Sequence, residues 1–301
     1  MLKRFVLVIC GLCICGVAIA QDRTYVQAGR MVDVVDGRLL RDQTIVIAGD
    51  RIERVGASPS IAIPSGANVI DLGDATVLPG LIDAHSHLTI NYYDDAIDLY
   101  RLPAASYGIF GTVNARKTLE AGITSVRDLH SYFYSDISLR DAINRGWIPG
   151  PRMYVSGPAI TMTGGHGAWA NWMSPQLELV LNPGSIADGP DEVRKEVRKH
   201  IKHGVDVIKI MATGGYGTSG SIPGAASYTV EELKAAVEEA RQNGLKVADH
   251  AHGGEGIKNA ILAGVDSIEH ASFLNDESVE LMKKHDVYLV MDLMGAYVDL
   301  I

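Results

Sequence analysis

Four segments of this chain carry side chains that could bind and activate a divalent metal. The first is Asp83-Ala84-His85-Ser86-His87, a His-x-His pair. On a β-strand, residues i and i+2 point the same way, so His85 and His87 would face one side and could share one ion. The second is Lys209 in the apolar run Val207-Ile208-Lys209-Ile210-Met211. A lysine amid a buried strand is costly unless paired or modified. Burial favours its neutral amine, and a neutral amine can add carbon dioxide to give a carbamate, whose two oxygens suit a bridge between two cations. The third is His250, in Asp249-His250-Ala251-His252, and the fourth is His270, in Ile268-Glu269-His270. Imidazole nitrogen suits zinc and similar ions. A pair of core histidines and a buried lysine ion pair are the bland alternatives; four strand ends supplying His, Lys, His and His argue jointly against them.

The elements needed to position these groups can be read from the pattern. Residues 21–79 hold short apolar stretches broken by Asp36-Gly37 and Gly49-Asp50, which predicts a small β-sheet domain built from hairpins. From residue 80 onward, strands alternate with helices. Strands are expected at Val77–Ala84, Ile123–Leu129, Arg152–Ser156, Val205–Met211, Lys246–His250, Ser267–His270 and Val287–Met291. Helices are expected at Glu192–His203, Val230–Asn243, Gly254–Ala263 and Glu277–Lys284, with Thr229 and Glu232 forming a capping box. This alternation predicts an α/β fold with a parallel sheet. About seven units fit a (β/α)8 TIM-type barrel; a doubly wound sheet satisfies the periodicity equally. In a barrel, the strand ends converge on one face, where active sites lie. His200, His203 and His285 fall on helices and read as solvated, and His130 after the second strand is a weak candidate for the site mouth.

Residues 1–20 read as a signal peptide: Lys3 and Arg4, then an apolar run, then Ala18-Ile19-Ala20. Export with cleavage after Ala20 is expected, with no membrane association afterwards. All three cysteines (Cys10, Cys13 and Cys15) fall in that segment, so neither disulfides nor cysteine ligands are expected in the mature chain. The net charge of −9 comes without a basic stripe, which argues against nucleic acid as a partner.

The run Pro79-Gly80-Leu81-Ile82-Asp83-Ala84-His85-Ser86-His87, followed in order by Lys209, His250 and His270, resembles the amidohydrolase superfamily in its two-metal, carboxylated-lysine form. Thr163-Gly164-Gly165-His166-Gly167 and His250-Ala251-His252-Gly253 resemble more narrowly the imidazolonepropionase-related, Xaa-Pro dipeptidase-like branch. The resemblance implies that His85 and His87 bind one metal, that Lys209 as a carbamate bridges two, and that His250 and His270 bind the second. Zinc is the expected ion. It implies substrate contacts for His166 and His252, one polarising the scissile carbonyl and the other holding a carboxylate. Tyr216 and Tyr228 are weaker candidates for shaping the pocket. The implied reaction is hydrolysis of an amide in a small peptide or N-acyl amino acid by a metal-bridged hydroxide. An ester, lactone or organophosphate substrate, or an inert remnant that only binds metal or ligand, stays open. The implied base is an aspartate ending an eighth strand. The chain ends at Ile301, just past the seventh, so residues 80–301 are expected to form an incomplete barrel. Asp292 and Asp299 are the late aspartates, and Asp292 belongs to the wrong unit for that part. A homo-oligomer is compatible with this reading.

Overall fold

The computed structural model describes residues 23–90, 102–168, 170–174 and 185–291. The expected signal peptide and the late aspartates Asp292 and Asp299 lie outside the described residues. No helix among the described residues is long and apolar enough to cross a membrane. The chain divides into two compact units, residues 1–79 and 80–301.

The first unit is a five-stranded sheet. Strands β1 (Arg23–Asp33), β2 (Arg38–Ala48) and β3 (Arg51–Ala57) form an antiparallel meander. β4 (Asn68–Asp71) and β5 (Thr76–Val77) add to β1 in parallel. Both hairpins follow from local chemistry. Asp33 accepts hydrogen bonds from the Val35 and Asp36 amides at the first turn, and Gly49 adopts φ +60° at the second, which a two-residue turn with glycine first requires. Tyr25, Val46 and Ile61 make its small core.

The second unit carries the parallel strands. β6 (Leu81–Ser86), β7 (Ile123–Asp128) and β8 (Arg152–Val155) form one sheet in sequence order. β9 (Ile160–Thr161), β10 (Ser185–Ile186), β11 (Val207–Met211), β12 (Lys246–Ala251), β13 (Ser267–His270) and β14 (Tyr288–Val290) form a second, in the order β10-β9-β11-β12-β13-β14. The expected α/β unit of parallel strands is present; among the described residues the strands of the incomplete barrel lie in two sheets rather than one closed ring. The Asp206 amide donates to the Val155 carbonyl at 2.8 Å, tying the approach to β11 to the end of β8. The first predicted strand also breaks in two, between β5 and β6. Pro79 supplies no N–H at the break, and a side chain on Gly80 would strike Thr124 at 2.1 Å.

Six helices are described: α1 (Ala104–Glu120), α2 (Ser135–Asn144), α3 (Gly189–His203), α4 (Val230–Gln242), α5 (Gly254–Ala263) and α6 (Asp276–His285). They pack their apolar stripes on the strands. The main core joins Val193 and Val197 of α3, Leu233 and Val237 of α4, and Ile257 and Ile261 of α5 to Ile208 and Ile210 of β11. All five residues of β11 are buried. Its four apolar side chains contribute about 1.5–3 kcal/mol each. That stabilisation carries the cost of seating Lys209, 1% exposed, in their midst. His200 corrects an expectation. It is fully buried, Nε2 donating to the Pro158 carbonyl at 2.6 Å and Nδ1 lying 3.2 Å from the Tyr134 hydroxyl. His203 and His285 are exposed, as expected.

The capping box forms: Thr229 Oγ1 accepts from the Glu232 amide, and Glu232 accepts from the Thr229 amide. Thr229→Ala should cost about 1 kcal/mol of stability in urea denaturation; an unchanged midpoint would show that the cap contributes nothing to α4.

Candidate active site

The C-terminal ends of the parallel strands bring the histidines together. His85 is in β6 and His87 just beyond it, their Nε2 atoms 3.2 Å apart. Two nitrogens bound to one zinc ion at about 2.0–2.1 Å and a tetrahedral angle lie about 3.3 Å apart. The pair therefore has the separation of two ligands of one ion. His270, ending β13, has its ring centroid 4.6 Å from that of His85 and 4.5 Å from that of His250 on β12. Lys209 pairs in register with Ala248 on β12, two residues before His250. His270 and Ala271 both adopt positive φ (72° and 54°), a strained turn that ends β13 at the cluster.

A buried carboxylate organises this side of the site. Glu269, 0% exposed, lies 3.0 Å from His85 Nδ1 through Oε2. It also accepts from Ser267 Oγ at 2.6 Å and from the Arg127 guanidinium at 2.8 and 2.9 Å. Accepting from Nδ1–H fixes the tautomer of His85 and leaves the Nε2 lone pair facing His87. The strand register places Glu269 beside His250.

His166 and His252 flank the cluster. The His166 ring lies 4.4 Å from that of His250, and its Nδ1 is 3.0 Å from Thr218 Oγ1. His252 Nδ1 is 2.9 Å from Ser272 Oγ, and its ring stacks on that of His270 at 5.3 Å. Tyr216 meets His252 edge-on at 4.9 Å and so borders the cluster. Tyr228 does not. It is buried in the main core, its hydroxyl donating to the Ala187 carbonyl at 2.9 Å, and this corrects its assignment as a pocket residue. Gly215 closes over the cluster: a Cβ there would lie 2.5 Å from His250 Nε2 and 2.8 Å from His166 Nε2.

Burial sets the charge state. It pushes His87 and His250 well below the usual imidazole range, with neighbouring imidazoles and Lys209 adding to the effect. His130 and His166 are each pushed down to about 3, again chiefly by burial. Neutral imidazoles keep a lone pair for a Lewis acid. Asp249 lies in the same shell, its carboxyl pushed well above the usual range by burial, with Lys209 acting in the opposite sense. Its Oδ1 accepts from the Ala212 amide at 2.9 Å.

The donor set fits divalent metal on two observations: the 3.2 Å nitrogen pair, and His250 Nε2, which is buried with no hydrogen-bond partner among the described residues. Among the described residues, no three His, Cys, Asp or Glu side chains form a metal cluster by themselves. The sequence reading passed over Glu269, Arg127, Thr218 and Ser272. The signal for Glu269 was a charged residue directly before a candidate ligand in a short predicted strand.

An amidohydrolase family model matches residues 76–300. Ochratoxinase from Aspergillus niger is 36% identical over 284 residues, covering 89% of this chain and 58% of that protein. Among solved structures, a Xaa-Pro dipeptidase with methionine bound in its active site superposes with a TM-score of 0.82 at 36% identity, covering 89% of this chain and 66% of the other. A prolidase complexed with N-methylphosphonate-L-proline gives 0.79 at 32% identity, covering 90% and 66%. The chain thus spans less than two thirds of the length of these relatives.

The depressed His166 gives a pH prediction. Between about 3 and 6.5 the unfolded chain binds a proton at His166 that the folded protein refuses, so folded stability falls as pH falls through that window. Between pH 6.5 and 5, urea midpoints should shift in favour of His166→Gln over the metal-free wild type, by about 1.4 kcal/mol per pH unit. Parallel pH profiles for the two proteins would contradict this account of His166.

Proposed function

Because this chain belongs to the amidohydrolase family, we propose that it hydrolyses a carbon–nitrogen bond in a small substrate, such as a dipeptide or an N-acyl amino acid, using two divalent metal ions, zinc foremost. The observation that carries this reading is the 3.2 Å approach of His85 Nε2 to His87 Nε2, beside a parallel strand that buries Lys209. His85 and His87 would hold one ion, and His250 and His270 the other. Lys209, as a carbamate, would bridge them. Ions held there would supply Lewis acidity, lowering the pKa of a bound water towards neutrality and polarising a carbonyl.

The remaining work falls to the chain's own side chains. Glu269 and Arg127 hold His85 in one tautomer and one orientation. Burial keeps His87 and His250 neutral, so that their nitrogens act as ligands rather than as cations. His166, held by Thr218, and His252, held by Ser272, flank the cluster. One polarises the scissile carbonyl and the other holds a substrate carboxylate. Tyr216, about two-fifths exposed, borders the approach beside His252. The dipeptidase and prolidase among the solved relatives support a peptide-like amide as the substrate class. Export, with cleavage after Ala20, is part of the same proposal and rests on residues 1–20.

Protein purified with zinc and bicarbonate should carry about two metal ions per chain by elemental analysis, and Lys209→Ala should lose at least one of them. Folded wild-type protein without metal would refute the assignment. A panel of N-acyl amino acids, dipeptides, esters and lactones then tests the bond type: preference for an ester or lactone would replace the amide reading. Glu269→Gln should weaken zinc affinity about 10- to 100-fold in chelator competition; equal affinity would mean that His85 needs no carboxylate behind it.

A further inference from the structure

His130 follows β7 and is 4% exposed. The backbone amide of Ala159 donates to its Nδ1 at 2.9 Å. An amide N–H can only donate, so Nδ1 must be the bare nitrogen of the ring and Nε2 must carry the hydrogen. Nε2 is buried and has no hydrogen-bond partner among the described residues. A buried N–H without an acceptor is costly, yet the structure holds it firmly in place. The loop that supplies Ala159 is fixed from three sides. The Pro158 carbonyl accepts from His200 Nε2 at 2.6 Å, the Gly157 amide donates to the buried Asp136 at 2.7 Å, and the Gly157 carbonyl accepts from the Ser131 amide at 3.1 Å.

The surroundings of His130 identify the missing acceptor. Its ring meets that of His87 edge-on at 6.2 Å. The preceding residue, Leu129, packs against Val207 and Ala248. Val207 and Lys209 are two apart on β11 and share a face, and Ala248 is the register partner of Lys209. The end of β7 thus lies against the stretch of β11 that carries Lys209. Burial holds the ring neutral, near a pKa of 3, and among the described residues Lys209 is the charged group that adds most to this. A neutral donor standing beside an amine has an acceptor to serve once that amine carries a carboxylate.

We propose that His130 Nε2–H is the hydrogen-bond donor that holds the Lys209 carbamate in place. The proposal rests on the reading of Lys209 given above. The bond chemistry balances without further reagents. The ammonium gives one proton to solvent, and the Nζ lone pair attacks carbon dioxide to form an N–C bond. One C–O π pair moves onto oxygen, and a second N–H proton leaves to solvent, giving Nζ–COO⁻. A donor at Nε2 stabilises the anionic product and not the free amine, so it shifts the equilibrium towards the carbamate.

The test is a carbon-13 bicarbonate titration of the zinc-loaded protein, following the carbamate resonance by NMR in the wild type, Lys209→Ala, His130→Phe, His130→Met and His130→Gln. The expected result is a wild-type signal that is absent in Lys209→Ala. His130→Phe and His130→Met, which remove the donor in two shapes, should each need about tenfold more bicarbonate or more for half-occupancy. His130→Gln, which keeps an N–H at similar reach, should recover most of that loss. A wild-type signal with unchanged occupancy in folded Phe and Met variants would overturn the role of His130 and leave the carbamate standing. Unchanged occupancy combined with weaker inhibition by N-acetyl amino acids would reassign the donor to substrate and also overturn it. A wild type with no signal dependent on Lys209 would overturn the carbamate itself, and this proposal with it.

Discussion

Glu269 is a fully buried carboxylate on a parallel strand, and the arrangement of the site depends on the donors gathered around it. Arg127 comes from β7, in one sheet; Ser267 and Glu269 come from β13, in the other; His85 comes from β6. A buried ionised group is tolerated only when paired and hydrogen-bonded. Meeting that requirement here links the two sheets of the second unit through side chains. Arg127 adds a bond from Nε to the Ala84 carbonyl, next to His85. The same contacts that offset the desolvation of Glu269 therefore set where His85 sits and which of its nitrogens is bare. Removing the carboxylate while keeping Arg127 would leave a guanidinium, about a fifth exposed, without its main partner.

The second constraint is desolvation of the imidazoles. His87, His130, His166 and His250 are all pushed to the neutral form, with burial the largest cause in each case. An ordinary core gains nothing by collecting neutral histidines around a lysine, because apolar residues would fill the same space at lower cost. The arrangement makes sense when an electron-pair acceptor is to be bound. The local strain agrees: His270 and Ala271 hold positive φ, and Gly215 leaves room at His166 and His250 that any side chain would fill.

Much of the site's outline was legible because its residues sit on elements with strong local signatures. β11 reads as a buried strand from its apolar run, and Lys209 stands out in it. α4 announces itself through Thr229 and Glu232. Helices α1 and α2 passed unnamed, for identifiable reasons. α1 contains Gly108, Gly111 and Thr112 and has no side-chain cap, and α2 starts from Tyr134 in a left-handed conformation. The pairings of Glu269, Thr218 and Ser272 were not legible because they are made with partners up to 184 residues away, as for His85 and Glu269. Tyr228 misled for the converse reason. It lies in a loop rich in glycine and serine, a setting that suggests exposure, but its ring fills the core against α4 and α5.

The most direct test of a two-ion centre built on Lys209 is X-ray absorption at the zinc edge of the loaded protein. The account predicts nitrogen and oxygen neighbours at about 2.0–2.1 Å, together with metal–metal scattering at about 3.5–4 Å that disappears in Lys209→Ala. A single zinc environment with no metal–metal contribution, unchanged when Lys209 is replaced, would contradict it.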